Sequence, residues 1–388
     1  MIGSSKIGLR PIRGGGGGAA PNPDFVSTWD TTQAGSASDT ITLPLLSGGI
    51  YSGTIDWGDG NSDTLSYANR THVYGSSGTY TITLSGTIEG WTFSNGGDRR
   101  KITDVSNWGN FTLDSSSTRA FFNCPNLAVT ATDSLSITSS ATSIWRIFAS
   151  CGNITALNLS GMDISNITTA NEVFDSSNNI SSANISAWDV SSIINISTMF
   201  RNCDALTDNL SSWNLANNEA LSDTFSSCDG SFMSTIASWD TSNVTTFSGT
   251  FRSSSVNTNI SAWDVSSVTT FNRCFMSASS FNQPIGVWDV SSCLDFTRMF
   301  FAANSFDQDI SSWQVTQATN LTDFMLSATG LSTANYDALL IAWDAQGAMS
   351  YSGTVNFGGS QYTAGGAAET ARTSLIAKWG GITDGGAA

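Results

Sequence analysis

Charged residues are scarce in this chain: they make up 12% of its 388 positions, and histidine occurs once, at His72. With a single histidine, any His-dependent catalytic triad has to use His72, and no Gly-x-Ser-x-Gly motif accompanies it. Proline occurs only 6 times. No apolar run reaches the roughly 18 residues of a membrane-spanning helix. The sequence therefore predicts a non-enzymatic protein without a cofactor and without membrane insertion.

The net charge of −16 is unevenly distributed. The first 23 residues contain Lys6, Arg10 and Arg13 and no acid, so the rest of the chain carries −19. A body this acidic repels nucleic acid and anionic membranes, so neither is an expected partner.

Residues 1–23 are interpreted as a flexible, basic, glycine-rich anchoring arm. No apolar stretch follows their basic residues, so we expect no secretory signal peptide. Five consecutive glycines, at 14–18, make a flexible tether. We expect the segment before the tether to dock into a partner, and a disordered tail is the alternative. The docking side chains are Lys6, Ile7, Leu9, Arg10, Ile12 and Arg13.

A tryptophan recurs at intervals of 24 to 26 residues, and a phenylalanine position recurs at intervals of 24 to 27 residues from Phe121 to Phe300. Self-similarity of this length is typical of stacked repeats that share one continuous core. We expect each repeat to bury its tryptophan and phenylalanine against the next repeat. The predicted structural ladder consists of Trp188, Trp213, Trp239, Trp263, Trp288 and Trp313.

Residues 24–92 show short alternating runs separated by Gly, Asn, Asp and Ser, a pattern that predicts an antiparallel sandwich. The sequence IDWGDG at 55–60 is followed by HVY at 72–74 and by GTYTI at 78–82. These motifs resemble those of PKD-type immunoglobulin-like domains. The resemblance implies an immunoglobulin-like β-sandwich in this region.

The later repeats resemble the BspA-like leucine-rich-repeat surface proteins of bacteria. The segment ITALNL at 154–159 has the L-x-x-L-x-L spacing of a leucine-rich repeat, and SFDQDISSW at 305–313 is similar to the BspA-like repeat. The resemblance implies a PKD-like domain ahead of the repeats, and surface display and adhesion rather than a reaction. Residues 332–388 are expected to form a C-terminal cap, with apolar Leu339, Leu340 and Trp343 closing the end of the repeats.

The expected architecture is thus an all-β sandwich followed by a leucine-rich-repeat solenoid of about nine coils of ~25 residues. The predicted domains are an arm at 1–23, a PKD-like β-sandwich at 24–92, a leucine-rich-repeat solenoid at 93–331 and a cap at 332–388.

Two further candidate sites remain weak. Asp56, Asp59 and Asp63 share one loop and form a weak calcium candidate, although they lack EF-hand spacing. Four of the six cysteines lie three residues after the recurring phenylalanine: Cys124, Cys151, Cys203 and Cys228. Other repeats have Ala or Ser at this position, which favours free structural thiols. Disulfides joining Cys124 to Cys151 or Cys203 to Cys228 are the alternative.

The sequence favours a phage virion component, a fibre or a capsid decoration, displayed on the virion surface. Residues 1–23 would bind other virion proteins, and the repeats would bind a host surface protein or glycan. Oligomers are compatible with this hypothesis. The alternative is a bacterial cell-surface leucine-rich-repeat adhesin.

Overall fold

The computed structural model describes residues 24–388 of the chain. Twelve strands occupy the first third of this region: β1 Phe25–Asp30, β2 Thr40–Thr42, β3 Leu45–Ser52, β4 Thr54–Asp56, β5 Ser62–Thr64, β6 Thr71–Val73, β7 Thr79–Leu84, β8 Thr87–Trp91, β9 Ile102–Asn107, β10 Thr112–Leu113, β11 Ala128–Val129 and β12 Ser136–Ile137. Two 3₁₀ helices, Ser231–Ser238 and Ile285–Val287, follow. The described chain ends with α1 Thr333–Ala345, β13 Gly353–Asn356, α2 Ala367–Trp379 and β14 Gly380–Thr383.

One six-stranded sheet, in the order β11-β9-β1-β7-β4-β5, organises the N-terminal region. Its central strand β1 alternates buried and half-buried residues, as a strand does when one face packs on a core. Phe25 and Trp29 fill that core, and Ser27 is buried between them because it accepts a hydrogen bond from the Trp29 indole at 2.9 Å. The pairs β2-β6, β3-β8 and β10-β12 form separate two-stranded sheets.

The expected immunoglobulin-like sandwich is wrong. Strand β1 pairs with β7 on one side and with β9 on the other, so the main sheet continues past residue 92. The remaining strands of this region form separate two-stranded pairs rather than a second facing sheet. The WGDG turn and the hairpin pattern correctly indicated β-structure, but they did not determine how the strands pair. The predicted domain boundaries stay predictions.

Residues 119–328 form a series of stacked turn repeats, called here the repeat stack. Neighbouring repeats are joined by single parallel bridges rather than by continuous strands. The N–H groups of Ile144, Arg146, Phe148 and Ser150 donate to carbonyls of the next repeat at 2.7–3.4 Å. The same alternate-residue pattern recurs along the stack. The bridged residues are Ser143, Thr169, Asn195, Ala220, Thr246, Thr270, Asp295 and Asn320.

Two left-handed residues per repeat, four positions apart, produce this pattern. Arg146 and Ser150, for example, have φ of 57° and 58°. A left-handed conformation costs a residue with a side chain about 1–2 kcal/mol. In these repeats the left-handed conformation directs alternate N–H groups towards the next repeat, and the resulting hydrogen bonds offset the conformational free energy that it costs. Equivalent pairs occur throughout the stack, as at Glu172 and Ser176.

The expected leucine-rich-repeat solenoid is therefore wrong. Between Ile137 and Thr333, the described chain has single bridges and turns where that family's repeat implies a strand in every repeat. The described region is a mostly-β fold of small sheets, together with the repeat stack and a few helices.

The tryptophans of the predicted ladder are buried, and each makes the same type of hydrogen bond to the preceding repeat. The rings of Trp188, Trp213, Trp239 and Trp263 stack with centroids 6.1–6.4 Å apart and interplanar angles of at most 10°. Each ladder indole N–H donates to a carbonyl of the preceding repeat at 2.9–3.2 Å. For Trp213 onward, the acceptor is the Ile or Leu three residues before the previous ladder tryptophan. The recurring Ile/Leu-x-x-Trp pattern thus supplies both partners of this bond.

The C-terminal segment continues the ladder and ends it. Trp343, on α1, donates its indole N–H to the Ile310 carbonyl at 3.4 Å. This hydrogen bond is equivalent to those of the ladder tryptophans, although Trp343 lies on a helix. Gln346 donates to the Trp313 carbonyl at 2.7 Å and accepts from the Val315 N–H at 2.9 Å. These contacts satisfy backbone groups that a further repeat would otherwise have satisfied.

One polar residue interrupts the core of the repeat stack. Asn218 is fully buried, and its side-chain amide nitrogen and oxygen both lack a hydrogen-bond partner in the described structure. The equivalent position holds apolar residues in the neighbouring repeats, Ile193 and Val244. A buried amide without partners costs about 1–3 kcal/mol.

We therefore expect Asn218→Val to raise the free energy of unfolding by about 1–3 kcal/mol. Denaturant titration followed by far-UV circular dichroism measures the change. Asn217→Val is the matched control, because Asn217 is exposed and donates to the Ser191 carbonyl at 2.7 Å, so its replacement brings no gain. Equal or lower stability of Asn218→Val would show that the amide is satisfied in solution.

Candidate functional site

Exposed positions that depart from the repeat pattern are the natural place to look for function. In a repeat stack, the fold explains a residue type that occurs at the same position of many repeats. It does not explain a residue at or near the surface that differs from its counterparts in the other repeats. Two regions contain such residues: an arginine-rich face that starts near residue 119, and a groove at residues 284–312.

The arginine-rich face, named here the arginine face, is built at and near the left-handed positions. Arg146 pairs with Glu172 of the next repeat, and Arg201 makes a bidentate contact with Asp175 at 2.7 and 2.8 Å. Two more inter-repeat pairs join Arg252 to Asp223 at 3.2 Å and Arg298 to Asp323 at 3.0 Å. The arginines of the face are Arg119, Arg146, Arg201, Arg252, Arg273 and Arg298.

Trp145 is the centre of an aromatic–arginine cluster at the N-terminal end of this face. The guanidinium carbon of Arg119 lies 4.1 Å from the Trp145 ring centroid, and that of Arg146 lies 5.0 Å from it. The Trp145 indole N–H donates to Glu172 Oε1 at 3.1 Å, which fixes the ring. Arg146 also lies over Phe122, at 5.1 Å. Unlike the ladder tryptophans, Trp145 is only half-buried.

The groove lies beside the 3₁₀ helix Ile285–Val287 and has a volume of about 600 Å³. Val287 is 75% exposed on its wall. Pro284 adds a second apolar surface, and Asp289 and Asp309 place carboxylates beside it. The groove therefore combines an apolar surface with negative charge.

The aspartates that follow the ladder tryptophans hold their own turns together. Asp189 Oδ1 accepts the backbone N–H and the hydroxyl of Ser191 at 3.1 and 2.6 Å. The hydrogen bond from the Ser191 hydroxyl lowers the pKa of Asp189, and the serines after Asp240 and Asp289 lower the pKa of those carboxyls in the same way. These carboxylates stabilise turns.

The loop of the weak calcium candidate has protein donors for each carboxylate. Asp56 accepts from the Gly58 N–H at 2.9 Å, Asp63 from the Trp57 indole at 2.8 Å, and Asp59 contacts His72 Nε2 at 2.9 Å. No group of three His, Cys, Asp or Glu side chains placed to hold a metal occurs among residues 24–388. His72 itself stacks on Trp57, with ring centroids 4.8 Å apart.

Acid is expected to weaken this loop through Asp59. Burial raises the pKa of Asp59, but hydrogen bonds from His72 and Asn61 outweigh it and bring the pKa down to about 2 from the usual 3.8. A lowered pKa means that the carboxylate stabilises the fold above about pH 4, and that this contribution is lost as the pH falls from 4 towards 2. Because the Asp59 carboxylate is partly exposed to solvent, its contribution to the free energy of unfolding is limited to about 1–2 kcal/mol.

The test is the free energy of unfolding between pH 5 and pH 2. Asp59→Asn should lose less stability over this interval than the wild type loses, whereas Asp56→Asn, which keeps an oxygen acceptor for the Gly58 N–H in an exposed turn, should follow the wild-type curve. Parallel curves for Asp59→Asn and the wild type would contradict this role of Asp59.

All six cysteines are buried and unpaired in the part of the chain that the structure describes. Burial raises the pKa of the Cys151 and Cys228 thiols to about 12. The thiol of Cys151 donates to the Phe121 carbonyl, and that of Cys228 to the Cys203 carbonyl, both at 3.0 Å. Ser177, at the same position of its repeat, donates to the Phe148 carbonyl at 2.6 Å. Cys151 and Ser177 both donate to the carbonyl of the recurring phenylalanine of the preceding repeat, which explains why this position accepts either Cys or Ser.

The predicted anchoring residues Lys6, Ile7, Leu9, Arg10, Ile12 and Arg13 lie outside the described residues. Among the described helices, none has both the length and the apolar character needed to cross a bilayer.

The aromatic–arginine cluster and the groove were not predicted from the sequence. Aligning the repeats on their ladder positions would have exposed both, because Trp145 and Val287 stand where most other repeats carry smaller or polar residues. The sequence also contains a pattern that indicates the ion pairs between repeats: an arginine and an acidic residue about one repeat apart, such as Arg146 and Glu172.

Comparison with known proteins gives one family. A family model described as "Mycoplasma protein of unknown function, DUF285" matches residues 142–234 and 219–338, which together span just over half of the chain. No curated protein and no solved structure matches the chain. The expected BspA-like leucine-rich-repeat family with a PKD-type domain is therefore wrong, and the matched family brings no phage, leucine-rich-repeat or PKD classification.

Proposed function

We propose that this chain, which belongs to the DUF285 family, is a non-enzymatic display protein that binds a protein or glycan partner through the arginine face of its repeat stack. In this proposal the repeats act as a rigid support, and the half-buried Trp145 with its neighbouring arginines on the arginine face makes the contacts.

The observation that carries the proposal is the aromatic–arginine cluster at Trp145. Tryptophan and arginine are enriched among the residues that dominate binding energy at protein interfaces. Here Arg119, Arg146 and Glu172 hold the half-buried Trp145 ring in one orientation. A side chain ordered before binding loses less conformational entropy when a partner arrives.

The cluster also has a charge that its surroundings lack. Arg119 and Arg146 surround Trp145, and Glu172 is the one acid that the described contacts bring to the same group. The cluster is therefore a positive spot on a strongly acidic body. This contrast favours partners with acidic or hydrogen-bonding groups near an apolar surface, as found on proteins and on glycans.

The test is binding of the fluorescently labelled full chain to a printed array of bacterial surface glycans and extracted surface proteins. We expect saturable binding to at least one component, and we expect Trp145→Ala to weaken it by roughly tenfold or more. Thr155→Ala, an exposed substitution elsewhere in the stack, is the control. Circular dichroism checks that both variants fold. Absence of binding by the wild type, or equal binding by Trp145→Ala, would contradict the proposal.

The place of display stays a prediction. The expectation of a virion surface anchored through residues 1–23, and the alternative of a bacterial cell surface, both place the protein outside a cell. The description of the matched family names neither setting.

A further inference from the structure

The groove at residues 284–312 differs from the rest of the repeat stack at three positions of a single repeat. The other repeats carry small or polar residues where this one has Val287, for example Ala262 and Ser312. Pro284 stands where the neighbouring repeats have Asn259 and Asp309.

The third departure shapes the groove. Gly286 replaces a Ser or Ala, and a Cβ at this position would lie 2.2 Å from the Asp309 carbonyl oxygen. The glycine thus lets the next repeat approach closely. All three departures line the same groove. The ladder tryptophan Trp288 keeps its usual bond to the Ile260 carbonyl at 3.2 Å, so the repeat does not need them for stacking.

The groove has an apolar wall and a negative rim. Val287 is 75% exposed, although burying a valine side chain stabilises a protein by about 1.5 kcal/mol or more. Asp289 and Asp309 flank it, and each accepts the backbone N–H of a serine in its own turn, at 3.0 and 2.9 Å. The groove is therefore complementary to a segment that combines apolar and basic side chains.

The chain contains one such segment outside the described residues. Residues 6–13 read KIGLRPIR, with three basic and three branched apolar side chains among eight positions and no acid. The rest of the chain carries a net charge of −19. Within this protein, residues 6–13 are the stretch whose charge and apolar content match the groove.

We propose that residues 6–13 of one copy dock into the groove at Pro284, Val287, Asp289 and Asp309 of a second copy. Ile7, Leu9 and Ile12 supply the apolar contacts with Val287. Lys6, Arg10 and Arg13 face the two carboxylates.

Distance favours a second copy over the same one. Strand β1 begins at Phe25, whose ring centroid lies 4.9 Å from that of Phe111, just before the repeat stack. The groove lies seven repeats farther on, about 35 Å away at about 5 Å per repeat. Residues 14–23 could cover this distance only if fully extended, because ten residues reach at most about 33–36 Å. Because the contact joins two different surfaces, it repeats head to tail and gives a ring where the rotation between copies closes and an open chain where it does not.

The experiment measures the mass of the full chain by sedimentation velocity over a hundredfold range of concentration. We expect the wild-type mass to rise with concentration. Val287→Ser, which restores the usual residue type of the repeat, should require about tenfold more protein for the same degree of assembly. Ala262→Ser, at the equivalent exposed position of the preceding repeat, should behave as the wild type does.

A charge exchange tests the pairing itself. Asp289→Lys with Asp309→Lys should abolish assembly, and adding Arg10→Glu with Arg13→Glu to that variant should restore it. A wild type that stays monomeric at every concentration, equal assembly of Val287→Ser and Ala262→Ser, or failure of the charge exchange to restore assembly would overturn the proposal. These readouts are independent of binding through Trp145, so failure here leaves the proposed function standing.

Discussion

Trp239→Ala is expected to lower the free energy of unfolding by about 3–5 kcal/mol, the usual cost of truncating a buried aromatic side chain to alanine. Trp239 is 3% exposed and lies between two ladder tryptophans, with centroids 6.1 Å from Trp213 and 6.4 Å from Trp263. The substitution also removes the indole bond to the Leu210 carbonyl at 2.9 Å. Because each repeat contacts mainly its neighbours, a cavity here weakens the interfaces on both sides.

Two further variants separate the causes of this loss. Trp239→Phe keeps an aromatic ring in the stack but lacks the N–H donor, so we expect an intermediate loss of stability. Ser238→Ala changes an exposed hydroxyl that donates to the Ser211 carbonyl at 3.2 Å and should cost less than about 1 kcal/mol. Guanidinium titration followed by far-UV circular dichroism measures all three. A loss below about 1 kcal/mol for Trp239→Ala would contradict the assignment of the ladder as the main support of the stack.

The second large effect is expected at Lys101, which is fully buried in the N-terminal region. Its Nζ donates to the carbonyls of Ser36, Ala37 and Thr40 at 3.1, 2.7 and 2.8 Å, and to the Ser36 hydroxyl at 3.1 Å. Asp98, 1% exposed, accepts the Ser36 N–H at 2.6 Å. Lys101 and Asp98 thus hold one loop from both sides.

We expect Lys101→Met to lower the free energy of unfolding by about 3–5 kcal/mol, because several buried hydrogen bonds to a charged group are lost together. Methionine has a similar length but leaves the loop carbonyls without donors, and it removes the ammonium that is linked to the buried Asp98 carboxylate through the Ser36 hydroxyl. Arg100→Met is the matched control, because Arg100 is the exposed neighbour of Lys101, and it should change stability by less than about 0.5 kcal/mol. Thermal and denaturant unfolding both report the difference. Similar stability of the two variants would contradict the role assigned to the buried ammonium.

The aromatic spacing of the sequence predicted the ladder, but not the backbone that carries it. Burial and stacking of Trp213 and Trp239 follow from the repeat interval, since a recurring aromatic side chain needs a recurring core. The left-handed residues do not follow from the sequence. Arg146 and Glu172 have no preference for positive φ, so their conformation is imposed by hydrogen bonds to the next repeat.

The misassigned fold has the same physical origin. The segment at 154–159 has leucine-rich-repeat spacing, but Ala156 meets Ser182 in a single bridge and no strand forms. Apolar spacing reports which residues are buried, and a turn repeat and a strand repeat bury the same positions. In the N-terminal region, strand β9 completes the main sheet from beyond the expected boundary, which no local motif signals.

The candidate sites were hidden for a different reason. Trp145 and Val287 are ordinary residue types in a chain rich in aromatic and apolar side chains, and their positions within the repeat distinguish them. Those positions become apparent once the repeats are aligned on the ladder, and the structure then shows how far each side chain is exposed. In contrast, the charge and composition of residues 6–13 can be read directly from the sequence.

Immunogold electron microscopy with an antibody against residues 93–331, on a culture that contains both intact cells and released particles, tests the central claim of surface display most directly. We expect gold on an exterior surface without permeabilisation, either on particles or on cell envelopes, and the pattern distinguishes the two predicted settings. Gold that is found only inside cells, and only after permeabilisation, would contradict display at a surface.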